Sequence, residues 1–307
     1  MKSKFSHIGL AKLCEWFGIT RQAYYQHNWD EISTNLEEEL VIQRVIEIRK
    51  KHRVMGTRKL YEMLQPFLIE HQIKMGRDAL FDMLAANYLL VRKRKRRIQT
   101  TNSSHWLRKY PNLIRAFVPK APNQLWVSDL TYWKISSGEH LYISFITDAY
   151  SHKIVGYQVA ETMDAIESIQ ALKMALSTLT TDTHLNLIHH SDRGIQYCSY
   201  AYVKLLQDNG IKISMTENGD PLENAVAERI NGIIKGEYLE TYNIDNIKDA
   251  KALLINVVDL YNNERPHMSI SNFTPNCIHH SLNNIKTDRL WKNYYRKKTI
   301  IVNQEQD

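Results

Sequence analysis

The sequence predicts an α/β domain preceded by an all-α region. Up to about residue 90, apolar residues recur at intervals of three and four. From residue 124 onward, short runs rich in Val, Ile, Tyr, Trp and Thr alternate with further helical stretches. A period near 3.6 indicates amphipathic helices, and runs of β-branched and aromatic residues indicate strands. Because strands alternate with helices in the second region, that region is predicted to form an α/β fold.

The first predicted unit, residues 1–30, contains two short helices around Gly18. Thr20 can cap the second helix, whose first turn carries Arg21. Two helices joined by a tight turn are typical of a helix-turn-helix, in which the second helix enters a DNA groove. Arg21 is therefore a candidate DNA contact. A plain helical hairpin would show the same pattern.

The second predicted unit, residues 31–100, repeats this arrangement. An amphipathic helix is predicted over residues 36–53, and turn, cap and apolar stripe recur at 56–65 and 75–90. Thr57 is the predicted cap of the first of these repeats. Together the two units predict helix-turn-helix-like DNA binding ahead of the α/β domain.

A basic run closes the second unit. No Asp or Glu occurs in residues 83–128, while ten Lys or Arg do, six of them consecutive, and the whole chain carries a net charge of +7. Such a block attracts a polyanion, and nucleic acid is the common one. Arg92, Lys93 and Arg94 are therefore candidate DNA contacts. A solvated linker or a localisation-type patch is the alternative.

Cysteine content and hydropathy bound the class of protein. The three cysteines lie far apart and form no CxxC pair, which argues against a disulfide framework or a structural zinc finger. The sequence has no signal peptide and no apolar run of about 18 residues that could span a membrane. We expect a soluble protein of a reducing compartment, the cytoplasm.

Residues 120–276 are predicted to form the α/β domain, between a linker at 101–119 and a basic C-terminal tail at 277–307. Strands are predicted over 124–134, 140–148, 152–161, 184–190 and 211–215, and helices over 163–179, 199–208, 223–241 and 246–263. Three strands, then helix, strand, helix, strand and helix, is the order of a ribonuclease-H-like sheet. In the tail, WKNYYRKK suits phosphate contact and simple solvation equally.

Three acidic residues indicate what this domain does. Asp129 and Asp192 end apolar, strand-like runs, and Glu228 lies in a helix-like stretch after 35 intervening residues. Aspartate is depleted inside strands, so a carboxylate there needs solvent or a cation. Two carboxylates from strands and one from a helix can hold a pair of divalent cations, as phosphodiester chemistry requires. Mg²⁺ suits such a site because it binds carboxylates together with substrate phosphates.

Four other residues compete for a place at this site. Asp148 ends the second predicted strand and Glu223 lies before the predicted helix of Glu228, so each is a rival for a third or fourth carboxylate. His189 and His190 could bind a metal, but histidines at a strand end more often serve packing or phosphate contact. Each acid taken singly is more commonly an ordinary surface residue, and only the joint arrangement supports the prediction.

Three stretches resemble a known family. HSDRGIQYCS, GIKISMTENGDPLENAVAERINGIIKGE and YNNERPHMSISNFTP resemble the integrase-like catalytic core of bacterial insertion-sequence transposases. The closest resemblance is to the OrfB type of the insertion-sequence-three family, which is related to retroviral integrases. It covers about residues 120–276, and more loosely residues 1–100 as a DNA-binding leader.

The resemblance implies a catalytic and metal-binding trio with two Mg²⁺ (or Mn²⁺) ions: Asp129, Asp192 and Glu228. Lys235 falls where such cores direct a basic residue toward DNA, and Arg193 is a further candidate contact beside Asp192. Two positions depart from the pattern, Glu223 where many relatives have Asp and Arg229 where many have Ser. The patch at 261–267 belongs to the core, as a structural cap or as a DNA contact.

The resemblance also implies an activity and partners. The expected reaction is cleavage at the terminal inverted repeats of an element, followed by transfer of the exposed 3′-hydroxyl into target DNA. A homo-oligomer on paired ends and a location at the bacterial nucleoid are expected with it, and action alone or as a frameshift fusion with an upstream protein stays open. Two alternatives remain: a nuclease of the same fold that cuts without joining, and an inactive DNA-binding regulator.

Overall fold

The computed structural model describes residues 8–91, 105–115, 117–179, 186–217 and 221–281, without the side chains of 27–35 and 221–222. The chain divides into two compact units, one formed by residues up to Lys51 with Gly56–Val91, the other by His52–Met55 with the residues from Arg92 onward. The predicted basic run, with Arg92, Lys93 and Arg94, lies outside the described residues, as does the tail after residue 281. No helix among the described residues is long and apolar enough to cross a membrane.

The first unit is helical. Its helices are α1 (Leu10–Trp16), α2 (Arg21–Lys51), α3 (Thr57–Glu70) and α4 (Arg77–Ala86). The second half of α2 packs with α3 and α4 around a buried apolar cluster, because each helix contributes residues three and four apart. The cluster comprises Val41, Val45, Ile48, Leu60, Leu64, Leu68, Ile73, Leu80, Met83 and Leu84.

The predicted start of the second helix is confirmed. Gly18 adopts a φ of +67°, which allows the tight turn after α1. The Thr20 hydroxyl then accepts a hydrogen bond from the backbone N–H of Ala23 over 3.0 Å. This is the geometry of a side-chain cap at the beginning of a helix.

Two details of this unit differ from the prediction. The helix that begins at Arg21 continues to Lys51, so no separate helix begins near residue 36. The sequence of α2 contains no Gly or Pro that would end a helix there. In α3 the capping position is occupied by Gly56, and Thr57 is the first helical residue, with its side chain buried.

The second unit is built on a five-stranded sheet of order β3-β2-β1-β4-β5. The strands are β1 (Leu125–Lys134), β2 (His140–Asp148), β3 (Ile154–Ala160), β4 (Ile188–Ser191) and β5 (Lys212–Met215). The first three form an antiparallel meander, β4 lies parallel to β1, and β5 lies parallel to β4. The predicted ribonuclease-H-like sheet is confirmed.

Helices cover both faces of this sheet. They are α5 (Ala165–Leu176), α6 (Ile195–Cys198), α7 (Tyr200–Asp208), α8 (Ala225–Ile233), α9 (Ile247–Asn263) and α10 (Pro275–His280). Ile143 and Phe145 of β2 pack with α8 and α9, whereas Ile146 packs with α5 and α7. Because successive side chains of a strand point to opposite faces, these two clusters lie on opposite sides of the sheet.

The single helix predicted over residues 223–241 is interrupted. A 3₁₀ turn at Pro221–Asn224 precedes α8, and a π-helical turn at Ile234–Tyr238 and a 3₁₀ turn at Leu239–Thr241 follow it. Glycines at 232 and 236 weaken the helical preference of this stretch. A short 3₁₀ turn at Met268–Ile270 and the helix α10 were not predicted.

Residues 105–115, within the predicted linker, pack against the sheet of the second unit, to which they belong. Their backbone lies beside β5, where Met215 N–H donates to the Pro111 carbonyl over 3.3 Å and Leu113 N–H donates to the Ser214 hydroxyl over 2.9 Å. In the sheet order, β5 has a neighbouring strand on one side only. This segment therefore covers an edge that would otherwise be open to pairing with another chain.

Candidate active site

The register between β1 and β4 places the first two acids together. The parallel pairing joins Leu125 to Ile188 and Val127 to His190. Continued by two residues, the same register sets Asp129 beside Asp192, which follows directly after β4. Asp129 and Asp192 each lie two positions beyond the paired residues Val127 and His190. Because side chains two positions apart point to the same side of a strand, both acids lie on one face of the sheet.

Asp129 lies in the middle of β1, which confirms the strand predicted over 124–134. The strand continues to Lys134 because its antiparallel pairing with β2 continues, with Asp129 opposite Phe145. On the other side, pairing with β4 stops at Val127. The aspartate is thus held by a strand on one side and faces the end of a strand on the other.

Helix α8 brings the third acid to the same place. Asn224 donates from Nδ2 to the carbonyl of Ser128 over 3.0 Å, and Asn231 donates from Nδ2 to Oδ2 of Asp129 over 2.8 Å. Glu228 lies four residues after the first asparagine and three before the second, so all three share one face of the helix. That face is therefore the one directed at β1.

The charges of the three acids interact. Burial, followed by the carboxylates of Asp192 and Glu228, raises the pKa of Asp129 to about 8, against hydrogen bonds from the Leu130 N–H and Asn231 that lower it. Burial and then Asp192 raise the pKa of Glu228. Burial also raises the pKa of Asp192, against a hydrogen bond from the Gly194 N–H. Burial and mutual repulsion thus disfavour the charged forms of all three carboxyl groups in the metal-free chain.

Within the described part of the chain, no Lys, Arg or His forms an ion pair with any of the three acids. Across those same residues, no group of three His, Cys, Asp or Glu side chains is arranged to hold a metal ion. The side chain of Glu228 is exposed to solvent, whereas Asp129 is only 4% exposed. This difference in exposure agrees with the lack of a ready-made metal-binding group among the described residues. The trio is electrostatically coupled but its carboxylates do not converge on one point.

Asp148, a rival for the third carboxylate, holds a turn. It is paired with Trp126 across β1 and β2, and this register directs it to the face opposite Asp129. Its oxygens accept hydrogen bonds from Asn123 N–H at 2.7 Å, Ser151 N–H at 2.7 Å and the Ser151 hydroxyl at 2.6 Å. These contacts fix the connection between β2 and β3.

Glu223, the other rival, is also engaged by a loop. Its Oε2 accepts a hydrogen bond from the backbone N–H of Glu217 over 2.6 Å, and Arg115 lies 3.6 Å from its Oε1. The side chain is almost fully buried. These contacts connect the start of the 3₁₀ turn before α8 to the loop after β5.

The two neighbouring histidines are packing residues in the structure. His189 lies between the Ser128 hydroxyl at 2.7 Å and the Tyr202 hydroxyl at 3.0 Å, and His190 contacts the Ser214 hydroxyl at 2.8 Å. Burial lowers the pKa of His189 to about 3 and that of His190 to about 4. Both rings are therefore neutral near pH 7.

The candidate DNA contacts are placed separately. Lys235 belongs to the π-helical turn after α8, and its ammonium lies 3.9 Å from the ring centroid of Tyr132 on β1. Arg193 donates to the Glu217 carbonyl over 3.1 Å, directly after Asp192. Arg21 is exposed at the start of α2, in the other unit.

The patch at 261–267 is a structural cap. Arg265 is 1% exposed and forms two hydrogen bonds of 2.8 Å with the carboxylate of Glu237. Asn262 bonds both the N–H and the carbonyl of Ile154 at 3.0 Å, as a neighbouring strand would.

Asn224 and Asn231 are the site residues that the sequence reasoning missed as contacts of β1. Their spacing of four and three residues from Glu228 is the signal that could have found them.

The mixed sheet and its coupled acids define an integrase-type catalytic core, and comparison with known proteins agrees. Two profiles described as integrase core domains match residues 119–221 and 209–275. A 31 kDa protein of insertion element IS600 from Shigella sonnei is 36% identical over 267 residues, covering 86% of this chain and 96% of that protein. The transposase for insertion sequence element IS629 from the same organism is 31% identical over 266 residues, covering 84% and 86%.

Among solved structures, the HTLV-2 integrase catalytic core domain in complex with magnesium is 22% identical with a TM-score of 0.40, covering 52% of this chain and 98% of that one. The two Shigella relatives thus match this chain over most of its length and over most of their own. The chain belongs to the family of insertion-sequence transposases that carry an integrase core domain.

Proposed function

We propose that Asp129, Asp192 and Glu228 hold two divalent cations, Mg²⁺ or Mn²⁺, and that the core cuts the ends of its element and joins them to target DNA. The observation that carries this proposal is a buried aspartate beside two further acids, with its pKa raised to about 8 and no ion pair within the described residues. A bound cation would stabilise the charged forms of these buried carboxyl groups, which no ion pair among the described residues stabilises.

The donor set fits the ion. Carboxylate oxygens are the ligands that Mg²⁺ and Mn²⁺ prefer, and Mg²⁺ sites commonly combine one or two carboxylates with phosphate and water. Bound divalent cations would activate the attacking water or 3′-hydroxyl and stabilise the leaving oxygen. Asp129 would supply the fixed ligand, because the strand and Asn231 hold it. Glu228 would supply the adjustable one, since its side chain is exposed.

The residues of the chain have distinct parts in this scheme. The Leu130 N–H donates to Oδ1 of Asp129 over 2.9 Å while Asn231 donates to Oδ2, so both oxygens have a set orientation. The bond from Asn224 to Ser128 keeps α8 against β1. The proposed transfer is a direct transesterification, which needs no covalent enzyme intermediate and no nucleotide cofactor.

DNA ends are the proposed partners of the leader. The exposed Arg21 of α2 and the run containing Arg92, Lys93 and Arg94 would contact the terminal repeats, and two copies of the chain would bring two ends together. Phosphate contacts make such binding fall steeply with salt. Replacing Arg92, Lys93 and Arg94 by Ala should weaken binding to all sequences alike, as phosphate contacts do.

A strand-transfer assay with labelled element ends and Mg²⁺ tests the proposal. The wild-type chain should yield joined products, and Asp129→Asn, Asp192→Asn and Glu228→Gln should yield none. Asp208→Asn, an exposed acid on α7, is the matched control and should be fully active. Cleavage without joining would identify a nuclease, and binding without cleavage would identify an inactive regulator.

A further inference from the structure

A strip of exposed aromatic and basic side chains lies beside the loop that carries Asp192. It is formed by Trp106, Arg108 and Lys109, in a segment that the sequence indicated only as a linker. At one end, His105 donates from Nε2 to the carbonyl of Arg193 over 2.6 Å. Since Arg193 follows Asp192 directly, this bond sets the beginning of the strip next to the proposed catalytic loop.

The strip is anchored to the core of the second unit by packing and by a backbone hydrogen bond. Leu107 and Tyr110 are partly buried and pack against the apolar cluster that contains Trp126 and the side chains of α5 and α7. Beyond Tyr110, the segment is bonded to β5 through the Pro111 carbonyl. Residues between these anchors have little freedom, so their outward side chains occupy a defined surface.

The strip exposes one large aromatic side chain and two cations to solvent. Trp106 is 92% exposed, whereas Trp126 and Trp133 of the same unit are buried. Arg108 and Lys109 are also exposed, and the Arg108 guanidinium lies 5.2 Å from the Tyr110 ring centroid, which limits its movement. Within the described residues, neither cation forms an ion pair with a carboxylate. The segment therefore presents to solvent an open aromatic face, followed two and three residues later by two cations.

The charges of the strip reach the loop after Asp192. Lys109 and Arg193 both lower the pKa of Cys198 at the end of α6, although burial and Asp192 together raise it to about 11. Lys109 and Arg193 are thus both close enough to the Cys198 thiol to act on it.

We propose that Trp106, Arg108 and Lys109 bind an unpaired DNA strand next to the scissile phosphate. Trp106 stacks on one base, and the two cations contact the flanking phosphates. A base inside a duplex is already stacked on its neighbours, whereas an unpaired base offers its face to an aromatic side chain whatever its identity. The strip would therefore hold an opened element end. This inference rests on the proposed function only in placing the scissile phosphate at Asp192.

Binding of forked DNA tests the inference. The full chain is mixed, without divalent cations, with a duplex whose terminal nucleotides are unpaired and include 2-aminopurine, and with a fully paired duplex of the same sequence. Stacking on Trp106 should quench the 2-aminopurine fluorescence of the forked DNA. The reporter is local, so binding by the helical leader elsewhere on the DNA does not mask the result.

Trp106→Ala should abolish the quenching and weaken the preference for forked over paired DNA by about tenfold, a typical loss for one stacked base. Trp106→Phe keeps an aromatic face and should retain most of both effects. Arg108→Ala with Lys109→Ala should weaken binding to both DNAs and reduce its salt dependence. Lys248→Ala with Lys251→Ala, two exposed lysines on α9, should leave binding unchanged.

Quenching by Trp106→Ala equal to that of the wild type would overturn the inference. So would a wild-type chain that binds forked and paired ends equally. Because Trp106 is exposed, its replacement should leave the thermal unfolding midpoint unchanged, and this midpoint is measured for every variant. The binding assay uses no divalent cation, so a failure of metal-dependent cleavage leaves its outcome intact. The two proposals can thus fail separately.

Discussion

Asn231 on α8 donates a 2.8 Å hydrogen bond to Oδ2 of Asp129 on β1, and this bond connects the helix of Glu228 to the strand of the buried acid. The asparagine is itself buried, and its Oδ1 has no hydrogen-bond partner among the described residues. One amide group therefore both orients the carboxylate and sets the distance at which α8 packs against the sheet.

Asn231→Ala should reduce strand transfer by about tenfold or more per folded molecule. Loss of a bond to a buried carboxylate should also cost about 1–3 kcal/mol of unfolding free energy. Denaturant unfolding measures the second effect, and transfer rates corrected for the folded fraction measure the first. Asn209→Ala removes a bond to the Leu205 carbonyl at the end of α7 and serves as the matched control. Full corrected activity in Asn231→Ala would reduce the asparagine to a packing residue.

Asp129→Asn should raise the thermal unfolding midpoint of the metal-free chain. Burial and two neighbouring carboxylates oppose the charge of Asp129, so a neutral isostere removes an unfavourable interaction that outweighs the one hydrogen bond an amide no longer accepts. Mg²⁺ should raise the midpoint of the wild type by mass action and that of the variant much less. Thermal unfolding with and without Mg²⁺ measures both effects. An equal Mg²⁺ shift in the two proteins would remove Asp129 from the cation site.

In the transfer assay, losses at Asp129, Asp192 and Glu228 should be strongly non-additive. Residues that act as one unit lose nearly all activity when any member is removed, so a double variant should be no worse than a single one. Rates of cleavage and joining for the single and double variants provide the comparison.

Asp148→Asn should reduce stability and leave the chemistry intact. Oδ1 of Asp148 accepts two hydrogen bonds from Ser151 and Oδ2 accepts one from Asn123, and an amide can accept at one atom only. A loss of about 1–3 kcal/mol is expected in denaturant unfolding. The folded fraction should still join ends in Mg²⁺. Loss of joining in a protein that remains folded would return Asp148 to the list of ligands.

Much of the core could be predicted because it depends on local sequence. Each strand of the sheet was found from its β-branched and aromatic residues, and the order of elements gave the fold class. The partners that hold Asp129 within β1 could not be predicted, because they belong to β2 and α8 and not to β1 itself. The break of the helix at residue 234 likewise depends on tertiary contacts, including the bond between Glu237 and Arg265.

The trio of acids was predicted from spacing, but its surroundings were not. The sequence indicates that Asp192 and Glu228 are separated by 35 residues, and it does not reveal which amide groups hold their partner. The spacing and the resemblance favoured Glu228 over Asp148, but they carried no geometric reason. The register of β1 with β2, which directs Asp148 to the other face, supplies that reason.

The chain should lose stability in mild acid because two buried histidines are neutral when folded. Burial, then Arg265, lowers the pKa of His152 to about 4 against the effect of Asp148, and burial lowers that of His189 to about 3. An unfolded histidine takes up its proton near pH 6.5. The contribution of these histidines to the unfolding free energy should therefore be level above pH 6.5 and fall toward pH 4, by up to about 3 kcal/mol for each residue. Asp129 acts in the opposite direction, because its raised pKa lowers the unfolding free energy as the pH rises toward 8.

His152→Asn should make this decline shallower. Position 152 has a φ of +64°, which Asn tolerates better than most residues. Denaturant midpoints of wild type and variant, measured at several pH values, provide the comparison. Equal slopes would mean that His152 is not the group whose protonation destabilises the fold.

Lys235→Ala should reduce strand transfer while leaving fold and Mg²⁺ binding intact. Lys235 lies seven residues after Glu228, and its ammonium lies over the ring of Tyr132, three residues after Asp129 on β1. The aromatic contact holds the cation beside the strand of the catalytic acid, where a DNA phosphate would meet it.

Tyr132→Phe preserves that contact and should keep full activity, whereas Tyr132→Ala should show part of the loss seen in Lys235→Ala. Transfer rates are measured across a salt series, because a lost phosphate contact reduces the salt dependence. Unchanged rates and an unchanged salt series in Lys235→Ala would leave Lys235 with the Tyr132 ring as its partner and no contact with DNA.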